Sequence, residues 1–153
     1  MVNCDYSEAK LGRIFILRLH DGDRIHEVIE SFASEKKISN AFCFFLGGAK
    51  EKSKVVVGPK NGTVVPPIPM IALLEGVHEA HGIGTIIKNE QGRPVLHMHI
   101  SFGRKKTTIT GCIRNGVDVW RIGEVIILEL NNATVSRVKD RETGFEFLEV
   151  DQR

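Results

Sequence analysis

The chain has 153 residues, 42% of them hydrophobic and 26% charged, which is enough apolar material to bury a continuous core without disulfide or metal staples. Its formal net charge of +2 announces no nucleic-acid or membrane partner, so either would need a local patch. The first six residues lack a signal-like basic flank and apolar stretch, the longest apolar run (Ala41 to Ala49) is too short to span a bilayer, and three widely spaced cysteines suit free thiols; the expectation is a cytoplasmic protein with no membrane partner.

Arg13 to His20 alternates as a strand, and Asp21-Gly22-Asp23 breaks it and offers a helix N-cap. Ile25, Val28, Ile29 and Phe32 then recur at helical spacing, with Lys36 and Lys37 expected in the last turn, where cations favour the helix dipole. This is one amphipathic helix lying on a sheet. Ala41 to Leu46 and Val55 to Gly58 read as strands, with a bulge or bend at Gly47-Gly48. Pro66, Pro67 and Pro69 mark a loop, and from Ala72 onward strands alternate with short turns. The sum is an α/β (α+β) fold in one domain over 1–153, with C-terminal strands expected at 133–150.

The chemistry concentrates in two of these strands. In Val95 to Phe102, Leu96, Met98, Ile100 and Phe102 share one face, and His97, His99 and Ser101 share the other. If Gly103 to Lys106 is a four-residue loop, Phe102 pairs with Thr107, which sets Cys112 opposite His97 and Thr110 opposite His99. If Asn89 to Gly92 is likewise a four-residue turn, Gly84 faces His97 and Gly82 faces His99, leaving a floor without side chains. His78 shares the parity of these glycines at a distance. His81 has the opposite parity and falls near Ile100, unless the loop is one residue longer.

Imidazole and thiolate are preferred zinc ligands, so His97, His99 and Cys112, with His78 as an alternative third donor, form the candidate Zn2+ site. The blander reading is an exposed polar face. Cupin barrels also carry a His-x-His strand, but their following glutamate is replaced here by Phe102 and Gly103. A metal-dependent enzyme is the alternative function, although Glu75, Glu79 and Glu124 are not expected beside His97. Gly92-Arg93-Pro94 matches the core of an AT-hook, yet its setting is a tight turn. Arg104-Lys105-Lys106 reads as a solvated hairpin tip that could touch phosphate if copies of the chain assembled.

Gly12-Arg13-Ile14-Phe15-Ile16-Leu17, Leu46-Gly47-Gly48-Ala49, Gly84-Thr85-Ile86, Pro94 to His99 and Gly123-Glu124-Val125-Ile126-Ile127, taken in order, resemble the plants and prokaryotes conserved (PPC) domain family from about Gly12 to Leu130. The resemblance implies a largely antiparallel twisted sheet with one main helix, a homotrimer, and a link to DNA through AT-hooks in plant members; stand-alone prokaryotic members are more similar to this chain. Many prokaryotic members carry Gly-Gly-His where this sequence reads Thr110-Gly111-Cys112, and plant members carry a glutamate where it has His78.

Overall fold

The computed structural model describes residues 3–151. In chain order the elements are β1 (Lys10–Leu19), α1 (Ile25–Glu35), β2 (Asn40–Ala49), β3 (Lys54–Pro59), β4 (Pro69–Leu73), β5 (His78–Lys88), β6 (Pro94–Arg104), β7 (Thr107–Cys112), β8 (Val119–Asn131), β9 (Val135–Lys139) and β10 (Glu146–Val150). The first eight strands form one antiparallel sheet in the order β1-β8-β2-β5-β6-β7-β3-β4, and β9 pairs with β10 in a separate hairpin. Among the described residues no helix is long and apolar enough to cross a membrane.

The helix forms where apolar residues repeat every fourth position: Ile25, Ile29 and Ala33 are fully buried and place one stripe on the sheet. Burying Ile29 alone contributes about 1.5–3 kcal/mol relative to leaving it in water. Glu30, on the flank of the helix, accepts the Leu96 N–H at 2.8 Å, beyond the last β6–β7 pair. The helix ends differ from the sequence expectation. Arg24 is the N-cap and makes no side-chain capping bond, while Asp23 accepts the His20 N–H at 2.7 Å and so closes the preceding turn. Lys36 is the C-cap and Lys37 has a φ of 54°, with their N–H groups bonded to the carbonyls of Phe32 and Ser34, so the lysines end the helix through backbone geometry.

The inner face of the sheet carries Cys43, Phe45, Ile86, Met98, Ile100, Phe102, Val125 and Ile127, all buried beneath or beside α1. At Gly47-Gly48 the β2–β8 register jumps, because β8 inserts Arg121 (φ 60°) and Ile122 between the partners Gly123 and Trp120. The bulge needs glycine on the facing strand: a Cβ on Gly48 would lie 2.6 Å from the Trp120 carbonyl oxygen.

Two expected registers are corrected. Lys88 pairs with Pro94, one residue further along than expected, so the parity of β5 against β6 is reversed. Gly82 and Gly84 therefore oppose Ile100 and Met98 on the inner face and make no floor beneath the histidines. Arg104 pairs with Thr107 around Lys105 and Lys106, a slip of two residues that keeps parity but moves Cys112 from His97 to His99 and Thr110 from His99 to Ser101. The β5–β6 correction is testable. A Cβ on Gly84 would stand 2.7 Å from the Met98 Cβ, whereas one on Gly103 meets nothing nearer than Thr108 Oγ1 at 4.0 Å. Urea unfolding of Gly84→Ala is expected to show a loss of about 1–3 kcal/mol, with Gly103→Ala close to the wild type. Equal stability of the two variants would contradict this register.

Candidate metal and interaction face

The outer face of the sheet is organised by cross-strand rows. One runs Ile16, Ile126, Phe44, Ile83, His99, Cys112 over six strands, each residue paired with the next. On one side of it lies Ile14, Leu128, Phe42, Thr85, His97, and on the other Arg18, Glu124, Leu46, His81, Ser101, Thr110. The β1 half of this face is apolar and open to solvent: Ile16 is 82% exposed, Leu46 60% and Ile83 56%. The other half is polar and carries the imidazoles and the thiol.

His97 and His99 project side by side, with ring centroids 5.0 Å apart and planes at 86°. Cys112 is half-buried opposite His99, and Ser101 Oγ lies 2.8 Å from Thr110 Oγ1 in the adjoining row. His81 belongs to this face, and Glu79 precedes it by two residues on the same side of β5. His78 does not: it is 5% exposed on the inner side, and its Nδ1 donates to the Gly76 carbonyl at 3.0 Å. Among the described residues, no group of three or more His, Cys, Asp or Glu is placed to hold a metal ion within one chain. The donor types on this face suit zinc, but completing a site requires donors from elsewhere.

Arg137 of β9 was not legible as a site residue. It is buried, and its Nη2 donates to Thr85 Oγ1 at 3.0 Å and, at 3.5 Å, approaches Nδ1 of His97; its Nη1 donates to the Glu146 carbonyl at 3.3 Å. A guanidinium can only donate, so Nδ1 accepts and neutral His97 carries its proton on Nε2. Partial burial of the ring holds the His97 pKa below its ordinary value, and Arg137, His99 and Arg114 lower it further. Elsewhere, burial pushes the Cys43 thiol up to about 12, which makes it an inert core residue.

Residues 6–131 match the family model described as the Plants and Prokaryotes Conserved (PCC) domain. Three solved structures share the fold. A plant- and prokaryote-conserved (PPC) protein of Pyrococcus horikoshii is 22% identical with a TM-score of 0.81, covering 98% of this chain and 100% of its own. A metal-containing protein of Archaeoglobus fulgidus is 22% identical with a TM-score of 0.80, covering 95% and 99%. A structure described as a candidate DNA-binding protein of Bacteroides thetaiotaomicron is 16% identical with a TM-score of 0.76, covering 97% and 100%. No curated protein matches the sequence.

Because folding favours the neutral form of His97, the stability it contributes is fully present above its unfolded pKa of about 6.5 and is lost as the pH falls through its lower folded value. The Cε1–H resonance of His97, followed by NMR, is expected to titrate below pH 6.5, and Arg137→Met should move that midpoint part of the way back up. A wild-type midpoint at or above the ordinary value would contradict the described environment.

Proposed function

The chain belongs to the Plants and Prokaryotes Conserved (PCC) domain family, and from that membership we propose that it works as a homo-oligomer binding a divalent metal, zinc by donor type, where its histidine face meets a second copy of the chain. One observation carries the reading. The row from Ile16 to Cys112 joins an exposed apolar stripe directly to the His99 imidazole and the Cys112 thiol, with His97 in the adjoining row. Exposed aliphatic and aromatic side chains in such continuity mark a surface suited to cover by another protein, and the donor-bearing strands adjoin it, which supports a metal at the border of such a contact. Arg18 and Glu124 are cross-strand partners beside the stripe, a pair of opposite charges at its rim that a like copy can answer.

A zinc ion takes three or four nitrogen and sulfur ligands. His97 and His99 of one copy supply two, and Cys112 or His81 of that copy or of its neighbour supplies the rest. A bound zinc would then act as a crosslink between copies and as a Lewis acid at their junction. If His97 bound the ion through Nε2, its proton would sit on Nδ1 and Arg137 would have to withdraw, since two donors cannot face each other there. The metal-containing description of the Archaeoglobus fulgidus neighbour supports the metal, and the family resemblance of the sequence motifs supports three copies. The free thiols suit a reducing cytoplasm.

A DNA-linked regulatory role is the second reading, supported by the description of the Bacteroides thetaiotaomicron neighbour. It does not run through an AT-hook: Gly92-Arg93-Pro94 closes a hairpin, with Asn89 Oδ1 accepting the Arg93 N–H at 3.0 Å. Contacts to phosphate would have to come from cationic tips pooled across copies.

Elemental analysis and light-scattering mass, measured together, test the leading reading. The wild type is expected to contain zinc and to run as an oligomer. His97→Ala with His99→Ala should lose nearly all of the metal, and Phe44→Arg, which sets a charge in the middle of the stripe, should lose both the assembly and the metal. A monomeric wild type, or equal metal content in the histidine variant, contradicts the proposal. For the second reading, duplex binding at low salt that weakens steeply as salt is added is the expected result.

A further inference from the structure

On the inner side of the same end of the sheet, away from the histidine face, an open cleft of about 570 Å³ lies between the β6–β7 hairpin and the segment leading into β5. We propose that this cleft binds the terminal phosphate of a small organic phosphomonoester. Its volume falls in the range of small-ligand sites, and its walls divide by chemistry. Leu73 and Ile109 form an apolar side; Arg104, Lys105, Lys106, Thr107, His78 and Glu75 form the polar one.

On the polar side the hairpin residues are exposed, while His78 is buried and Arg104 is tethered to the backbone. Arg104 Nη1 donates to the Val77 carbonyl at 2.6 Å, which fixes the guanidinium against the backbone. Gly76, at φ 79°, permits that position: a Cβ there would stand 2.8 Å from Arg104 Cζ. His78 lines the cleft though only 5% exposed, and its Nδ1 donates to the Gly76 carbonyl, so Nε2 is the ring nitrogen left without that bond. Among the described residues, no ion pair uses Arg104, Lys105 or Lys106. Three cations against the single carboxylate of Glu75 leave an excess of two positive charges. A phosphomonoester carries about −1.5 to −2 at neutral pH and matches that excess, whereas a carboxylate leaves half of it unanswered. A held guanidinium suits oxyanion recognition by paired N–H donors. The concave apolar wall favours a ligand with an organic body over the extended backbone of a duplex, which would need many more cations than one chain offers here.

The test is an amide NMR titration of the full chain with phenyl phosphate, alongside inorganic phosphate, benzoate and a short DNA duplex. Saturable shifts confined to residues 73–78 and 104–109 are expected with phenyl phosphate, with weaker binding of inorganic phosphate and benzoate. Lys105→Gln with Lys106→Gln, at an exposed tip where folding is not at stake, should weaken phenyl phosphate about tenfold or more, and Arg104→Gln at least as much. No saturable binding, unchanged binding in the lysine variant, or benzoate or inorganic phosphate bound as tightly as phenyl phosphate overturns the proposal. Tighter binding of the duplex at the same residues also overturns it and assigns the hairpin to nucleic acid.

Discussion

The turn that closes β5 onto β6 decides what the outer face of this sheet contains. Asn89 Oδ1 accepts the N–H groups of Gln91 and Arg93, the Asn89 N–H reaches the Arg93 carbonyl at 2.8 Å, and Gly92 adopts a φ of 73°. The loop is thus Glu90-Gln91-Gly92, ending on a left-handed glycine, the three-residue arrangement that introduces a bulge next to the turn. A one-residue change in this register would exchange every side chain of β5 between the two faces. As folded, Gly82 and Gly84 admit Ile100 and Met98 to the core, while His81, Ile83 and Thr85 join the histidines outside.

From that register the two faces acquire separate tasks. Inside, α1 presses Ile25, Ile29 and Ala33 onto the sheet and supplies the stability. Outside, the apolar stripe Ile16, Ile126, Phe44 and Ile83 runs across β1, β8, β2 and β5 to His99 of β6 and Cys112 of β7. The C-terminal hairpin ties the outer face down at one end. Arg137 bonds to Thr85, His97 and the Glu146 carbonyl, so a strand outside the main sheet controls the tautomer of a residue within it. Along the β1 edge of the sheet, Arg13 grips Glu129 through Nε and Nη2, both at 2.7 Å, across the irregularity where β1 slips against β8.

Much of this was legible in the sequence because strand parity is a local property. The alternation of Val95 to Phe102 assigns the histidines and the core residues to opposite faces whatever the neighbouring strands do, and the spacing from Ile25 to Phe32 fixes the helix. Register is a property of the turns, and there the reading went astray by small counts. At the β6–β7 tip, Lys105 takes a φ of 55°, an uncommon conformation for lysine that shortens the loop to two residues and carries Cys112 to His99. Between the paired Lys88 and Pro94 lie five residues, one more than the four-residue turn, and this longer loop brings His81 to the site in place of the glycine floor. Nothing local marks Arg137, which arrives from forty residues beyond His97 through tertiary packing alone.

On the proposed function, the outer face is incomplete in one chain and is finished, together with its metal, by another. A crystal of the zinc-loaded protein measured at the zinc absorption edge tests it most directly. The expected result is an anomalous peak beside the imidazoles of His97 and His99, at a junction where a second copy covers the stripe of Ile16, Phe44 and Ile83. A stripe left open to solvent, with no peak at the two histidines, would contradict it.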